Sequence, residues 1–425
     1  MKKNILVFPC GSEIGLEIYE SMKYSSHFHL IGLSSANDHG RYAFSDYIEG
    51  APYITDDEMI PYLKKLVTNR KIDAIYPTMD LVIKVLKEKE NQIGCKIICS
   101  DKSTVDICAS KEKTYQVLKG VVRTPKCYQV NEIETYPVFI KPDMGYGARG
   151  TSLVKNKEQL LVLLNSNEKM LILEYLPGEE YTVDCFTNRH GELIYANGRK
   201  RNRIKNGISV NTEFQENQEE FLDFATIINS SISFRGAWFF QVKRDKKGTL
   251  CLMEIASRFG GSSSLSRAIG VNLPLLSTFD CFDVDVQIQP NKYKVEMDRA
   301  LSNCYRCDVE YDEVYVDYDD CLVLNKKIIN IELLSFLYKC LSEGKKVFLL
   351  TKHGDGLDDE LIRFRIKDIF DKIINIEKDD KKYRYILSPR SIFVDDSFAE
   401  RQEVAEIIGA YTFSPDMICV LNGRT

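Results

Sequence analysis

Residues 239–258 run Phe239-Phe240-Gln241-Val242-Lys243, pass through Asp245–Gly248, and continue as Leu252-Met253-Glu254-Ile255 before closing on Ala256-Ser257-Arg258. Two apolar runs around a charged, glycine-containing stretch predict neighbouring strands joined by a turn. Gln241 and Glu254 would then project from adjacent strands. A carboxylate beside an amide oxygen suits Mg²⁺, which takes hard oxygen donors and keeps several waters and substrate phosphates. A buried Glu254 with neither metal nor partner would be costly.

Four further features lie upstream. Lys111 stands at the head of a helix in Ala109–Tyr115. Phe139-Ile140-Lys141-Pro142 ends a strand on a lysine, and Gly145-Tyr146-Gly147-Ala148-Arg149-Gly150 follows at once. Backbone N–H groups beside a lysine can wrap a polyphosphate; the plainer alternative is a glycine-rich hairpin with a solvated lysine. Leu173-Glu174-Tyr175-Leu176 leads through Pro177-Gly178 to Glu180 and Asp184. An apolar strand edge next to carboxylates suits an adenine and a ribose diol, or else forms an exposed acidic turn. Arg199, Lys200, Arg201 and Arg203 make a basic run that fits phosphates, an anionic substrate or a solvated face.

In this order the five features resemble the ATP-grasp superfamily, and most closely its carbamoyl-phosphate-synthase-like branch, over about residues 1–300. The resemblance implies that Lys111 and Lys141 contact ATP phosphates under a lid at Gly145–Gly150, with Gly147 in that lid. It assigns Glu174, Tyr175 and Leu176 to the adenine and Glu180 to the ribose. Gln241 and Glu254 take Mg²⁺ (or Mn²⁺), Arg258 steadies phosphate or acyl phosphate, and Arg199 and Arg201 contact phosphate or substrate. One departure weakens the second metal site: where the family often reads Glu-Ile-Asn-Pro-Arg, this chain has Glu254-Ile255-Ala256-Ser257-Arg258.

Either side of this region the pattern is α/β. Residues 1–105 alternate short apolar runs (Ile5–Phe8, His29–Leu33, Ala74–Pro77, Lys96–Cys99) with helical stretches such as Glu13–Met22 and Asp57–Val67, as in an open parallel sheet. The loop Cys10–Gly15 lacks the dinucleotide GxGxxG spacing and reads as a structural turn. In 106–305, Pro137–Lys141 with Gly150–Val154, and Met170–Glu174 with Glu180–Phe186, read as strand pairs of an α+β region.

From 306 the α/β rhythm restarts. Val314–Val316, Val347–Leu350 and Ile392–Val394 are strand-like, and each ends in polar residues: Asp317-Tyr318-Asp319-Asp320-Cys321, Thr351-Lys352 and Asp395-Asp396. Three such tips can meet around one Mg²⁺ and one phosphate; the alternative is acidic turns. Residues 310–425 look like the haloacid-dehalogenase-like phosphatases, with a Rossmann-like fold. That resemblance makes Asp317 the nucleophile and Asp319 the general acid/base, with Thr351 on the phosphoryl group. It gives the metal to Asp317, Asp319 and Asp395, helped by Asp396. Cys321 departs from the motif, and Lys378, Lys381 and Lys382 compete for the family's lysine.

The whole reads as an α/β and α+β multidomain chain: a pre-ATP-grasp domain (1–105), an ATP-grasp domain (106–305) and a phosphatase-like domain (306–425). Its 425 residues suit two to four domains. A net charge of −5 leaves no broad footprint for nucleic acid or an anionic membrane. The apolar run after Met1-Lys2-Lys3 is too short for a signal peptide, and no stretch of about 20 apolar residues exists, which points to the cytoplasm. Thirteen scattered cysteines fit reduced thiols, and the Cys304–Cys307 pair has no second pair to complete a zinc site. The function expected is an ATP-dependent carboxylate–amine ligase acting through an acyl phosphate on small molecules, with a homodimer allowed. The alternatives are a carbamoyl-phosphate-synthase-like kinase of a small acid and an ATP-binding regulatory protein without turnover; Ala256 and Cys321 favour the latter.

Overall fold

The computed structural model describes all residues except 1, 146–148, 165–168, 206, 306 and 423–425. The chain divides into two compact units, Met1–Leu301 and Ser302–Thr425. No helix among the described residues is long and apolar enough to cross a membrane.

The first unit opens with a five-stranded parallel sheet, ordered Tyr47–Ile48, Phe28–Leu33, Lys3–Phe8, Ala74–Pro77 and Lys96–Ile97. Its first strand carries a continuous apolar run because both faces are covered. Ile5 and Val7 enter one buried cluster, while Leu6 and Phe8 enter another. The turn after this strand is structural: Ser12 accepts from Gly15 N at 3.0 Å and caps the helix Glu13–Met22.

Two antiparallel sheets follow. The smaller has the order Cys127–Tyr128, Met170–Glu174, Val138–Pro142, Ser152–Val154. The larger has six strands: Leu250–Ala256, Gly236–Arg244, Glu180–Thr187, Leu193–Lys205, Ile208–Phe214 and Glu296–Asp298. The expected pairing of Met170–Glu174 with Glu180–Phe186 is wrong, since these strands belong to different sheets. The chain crosses over at Pro177-Gly178, where a Cβ on Gly178 would lie 2.7 Å from the Arg244 carbonyl oxygen. That tight passage ends one sheet and starts the other.

Alternation along the large sheet separates packing from chemistry. Tyr181, Val183, Cys185, Trp238, Phe240, Val242 and Ile255 point one way and pack with Phe221, Ala225 and Ile228 of the helix Glu219–Ser231. Their sequence neighbours, Glu180, Thr182, Asp184, Phe239, Gln241 and Glu254, fall on the other face.

The second unit is a five-stranded parallel sheet in the order Lys372–Asn375, Lys346–Thr351, Glu313–Val316, Ser391–Val394, Tyr411–Phe413. The chain steps twice to one side of Glu313–Val316 and then returns to its other side. The topological switch point therefore lies between Glu313–Val316 and Ser391–Val394, where open α/β sheets bind ligands at the strands' carboxyl ends.

Candidate functional sites

In the first unit, Gln241 lies directly opposite Glu254, with a register shift just beyond at Val242. Lys141, on the small sheet, reaches the large one: its Nζ donates to the Met253 carbonyl at 2.9 Å. The Tyr115 hydroxyl donates to the same oxygen at 2.7 Å. Lys141 is only 6% exposed. Burial pulls its ammonium down to about 8, opposed by the charge of Glu254 and reinforced by that of Lys111. No carboxylate among the described residues lies in ion-pair contact with it.

Lys111 is fixed beside Lys141 through Asp143, a residue the sequence does not single out. Ser110, the N-cap of the helix Lys111–Val117, donates to both Asp143 oxygens at 2.9 Å. Glu112 N donates to the same carboxylate at 2.8 Å, and Lys111 Nζ to the Asp143 carbonyl at 3.2 Å. The helix head is thus tied to the segment that follows Lys141. Gly147 of the expected lid lies outside the described residues.

Tyr175 and Leu176 occupy the connection between the two sheets, Leu176 buried and Tyr175 half-buried. The Glu174 carboxylate accepts a fork from Arg123 Nη2, at 2.8 Å to each oxygen. Arg201 is likewise engaged, donating to Glu180, to Gln241 Oε1 at 2.9 Å and to the Gly207 carbonyl at 2.6 Å. Arg199 is deeply buried against Asp184, with Nε to Oδ2 at 2.7 Å. The solvated-face alternative therefore fails for both arginines. Arg258 donates to Asp80 through Nε at 2.7 Å and Nη2 at 3.0 Å, and its guanidinium lies 5.4 Å from the Phe239 ring centroid. Asp80 opens the helix Asp80–Glu88, beyond the strand Ala74–Pro77, and was missed in the sequence. Only the strand-end position hinted at it.

In the second unit, Asp317 and Asp395 follow the two strands that flank the switch point. One carboxylate oxygen from each of Asp317, Asp395 and Asp396 lies within 4.8 Å of the others. Lys382 Nζ donates to Asp317 Oδ1 at 2.7 Å and to Asp395 Oδ2 at 2.6 Å, and is itself buried. Of the three competing lysines, geometry brings this one in. Burial raises the Asp317 carboxyl against the opposing charge of Lys382. Burial, and then the charge of Asp317, pushes Asp395 up to about 6.

Asp319 stands apart from the three-carboxylate cluster, where Asp396 takes the place expected for it. It is instead paired with His353 Nδ1 at 2.8 Å. The Thr351 hydroxyl is buried near Asp317 without a hydrogen bond of ordinary geometry. Cys321 is buried, its thiol 3.6 Å from the Val394 carbonyl, and burial holds that thiol far from ionisation.

Residues 166–300 match the family described as ATP-grasp in the biosynthetic pathway with Ter operon. A D-alanine–D-alanine ligase of Fusobacterium nucleatum is 40% identical over 79 residues, 18% of this chain and 28% of that protein. The carbamoyl phosphate synthase large chain of Thermoplasma acidophilum is 25% identical over 135 residues, 28% of this chain and 13% of that one. The chain thus spans well under half the length of these relatives. Among solved structures, a biotin carboxylase complex with β-γ-ATP from Campylobacter jejuni aligns at a TM-score of 0.57 and 17% identity, covering 68% of this chain and 73% of that one. At that identity the likeness is one of fold. Residues 166–300 therefore carry the match to an ATP-grasp family, and the fold of the first unit is similar to that of the biotin carboxylase.

Proposed function

We propose that the first unit binds Mg-ATP between its two antiparallel sheets and uses it to activate a carboxylate for attack by an amine. The observation that carries this is Lys141: an ammonium buried at the seam of the two sheets, short of an anionic partner, beside Lys111 and the Gln241–Glu254 pair. A polyphosphate supplies the missing negative charge.

Lys141 and Lys111 hold phosphate oxygens. Tyr175 and Leu176 flank the base, and Glu180 takes the ribose once Arg201 turns to the phosphates. Glu254 and Gln241 offer two hard oxygens across one strand pair, which fits Mg²⁺ or Mn²⁺ with phosphates and water completing the shell; Ala256 adds none. When bound, that cation neutralises charge on the transferring phosphoryl group. A carboxylate oxygen attacks the γ-phosphorus, the bond to the bridging oxygen breaks and ADP leaves. Arg258, oriented by Asp80, steadies the acyl phosphate. The amine adds to the acyl carbon, phosphate departs with the C–O electron pair, and the surplus proton goes to water. Screening ADP release across acid and amine pairs, with mass analysis of products, tests this. ATP binding without acid-dependent ADP release would leave a regulatory protein instead.

For the second unit we propose a haloacid-dehalogenase-like phosphatase. Asp317 attacks phosphorus, and Asp319 protonates the leaving oxygen and then activates water. Thr351 and Lys382 hold the phosphoryl oxygens. Asp317, Asp395 and Asp396 provide the oxygen set that suits Mg²⁺. Phosphate release from p-nitrophenyl phosphate should vanish in Asp317→Asn; undiminished release would rule this out.

A further inference from the structure

Seven buried side-chain atoms among the described residues lack a hydrogen-bond partner, and the four in the first unit are Asn197 Oδ1, Arg199 Nη1, Arg201 Nε and Ser263 Oγ. Orphaned buried polar atoms are rare, so four in one unit, three of them on the strand Leu193–Lys205, call for a physical reason. Those of Asn197, Arg199 and Ser263 belong to residues grouped about the Asp184–Arg199 pair and the turn at Gly260, and two of these atoms, Arg199 Nη1 and Ser263 Oγ, are donors. Asn197 lies opposite Asp184 in register. Arg199 holds Asp184 through Nε and Nη2, leaving Nη1 unused. A Cβ on Gly260 would stand 3.0 Å from Arg199 Nη2 and 3.3 Å from Asp184 Oδ1, so glycine is what lets the guanidinium lie against this loop. Ser263, whose N donates to the Gly260 carbonyl at 3.0 Å, brings its free hydroxyl to the same turn. Arg199 and Ser263 are each 2% exposed.

This group is contiguous with the proposed reaction centre but separate from it. The same Cβ on Gly260 would lie 3.7 Å from the Phe239 ring, and the Arg258 guanidinium lies over that ring. Arg199, Thr182, Gln241 and Glu254 form one cross-strand row, which spans roughly 14 Å at the usual strand spacing. Arg258 and the Gln241–Glu254 pair serve one end of an acid lying here, and the unused N–H and O–H serve the other. Two donors beside an already neutralised ion pair select an oxygen acceptor.

Resting on the ligase reading above, we propose that the acid substrate carries a second carboxylate, received by Arg199 Nη1 and Ser263 Oγ beside Gly260. The subsite therefore selects dicarboxylic acids over monocarboxylic acids of equal length.

The test compares succinate with butyrate and glutarate with pentanoate, using ATP, Mg²⁺ and hydroxylamine as the amine. Removing Arg199 outright would strand Asp184, so Ser263→Ala is the primary variant; its hydroxyl has no partner to lose, and the melting temperature should hold. Each dicarboxylate should exceed its monocarboxylate partner about tenfold or more in kcat/KM. Ser263→Ala should raise the dicarboxylate KM about tenfold and leave the KM for ATP unchanged. Arg199→Lys, which keeps a cation on Asp184 but offers no second donor edge, should do the same. Equal rates for the paired acids, or a preference that survives Ser263→Ala, would overturn the subsite. Should no acid release ADP, calorimetry on the ATP-loaded protein still decides. Succinate bound more tightly than butyrate, and lost in Ser263→Ala, upholds the subsite while the ligase chemistry fails. Equal binding of the two acids overturns it.

Discussion

The two units carry opposite charge imbalances. In the first, the ammonium of Lys141 is buried against a carbonyl, with Lys111 nearby, the charge of Glu254 acting on it from a distance, and no carboxylate among the described residues in ion-pair contact. In the second, one lysine, Lys382, sits among three carboxylates, two of which it bonds directly. Burial makes either imbalance costly. One site is short of anions and the other of cations, which is what supports the ligands proposed for them: a polyphosphate for the first and a divalent cation for the second.

The contrast is broken most severely in the second unit. Lys382→Met should remove the one cation holding Asp317 and Asp395 together and cost about 3–5 kcal/mol in chemical denaturation. Both carboxyls are raised above their unfolded values, Asp395 to about 6, so the folded state binds more protons than the unfolded state does. Lys382 holds both carboxyls down, so its removal raises them further, and stability of the variant should recover as pH falls, beginning above the value of about 6 that Asp395 has in the parent. Added Mg²⁺ should restore it at neutral pH.

The matching change in the first unit should act in the other direction. Lys141→Met removes a buried charge, and the Met253 carbonyl keeps its bond from Tyr115, so thermal stability should hold or rise. ATP affinity should nonetheless fall by about 100-fold, roughly 3 kcal/mol. In the unaltered protein, Lys141 with a folded value of about 8 loses its proton well before the unfolded chain does. Stability should therefore climb from pH 8 towards 10, while ATP affinity falls over the same range by up to about tenfold per pH unit.

Smaller effects are expected around the reaction centre. Asp80→Asn frees Arg258 and should lower kcat about tenfold with the ATP dissociation constant unchanged. Ala256→Asn sets an oxygen donor two residues from Glu254 on the same strand face. Titration of the nucleotide-loaded protein should show Mg²⁺ affinity rising by about tenfold at most.

Much of this was legible in the sequence where chemistry follows local order. The facing of Gln241 and Glu254 follows from two apolar runs and a short turn, and Lys111 stands at the helix head expected of it, capped by Ser110. What stayed hidden depends on contacts distant in sequence. Asp80 meets Arg258 across 178 positions, and Asp143 draws Lys111 to Lys141 only once helix and strand are packed. The false pairing of Met170–Glu174 with Glu180–Phe186 arose because proximity in sequence suggests a hairpin, while Gly178 N donates to the Arg244 carbonyl and the second strand pairs within the larger sheet. Lys382 could not be separated from Lys378 and Lys381 by spacing, because burial rather than position distinguishes it.

The most direct test of the account is isothermal calorimetry of Mg-ATP binding to the intact chain at pH 7 and pH 9, with Lys141→Met alongside. Micromolar binding that weakens at pH 9 and falls by about 100-fold in the variant, whose fold melts no lower than that of the parent, is the predicted result. Binding that ignores both pH and the substitution would contradict the claim that a buried, anion-deficient lysine forms the nucleotide site.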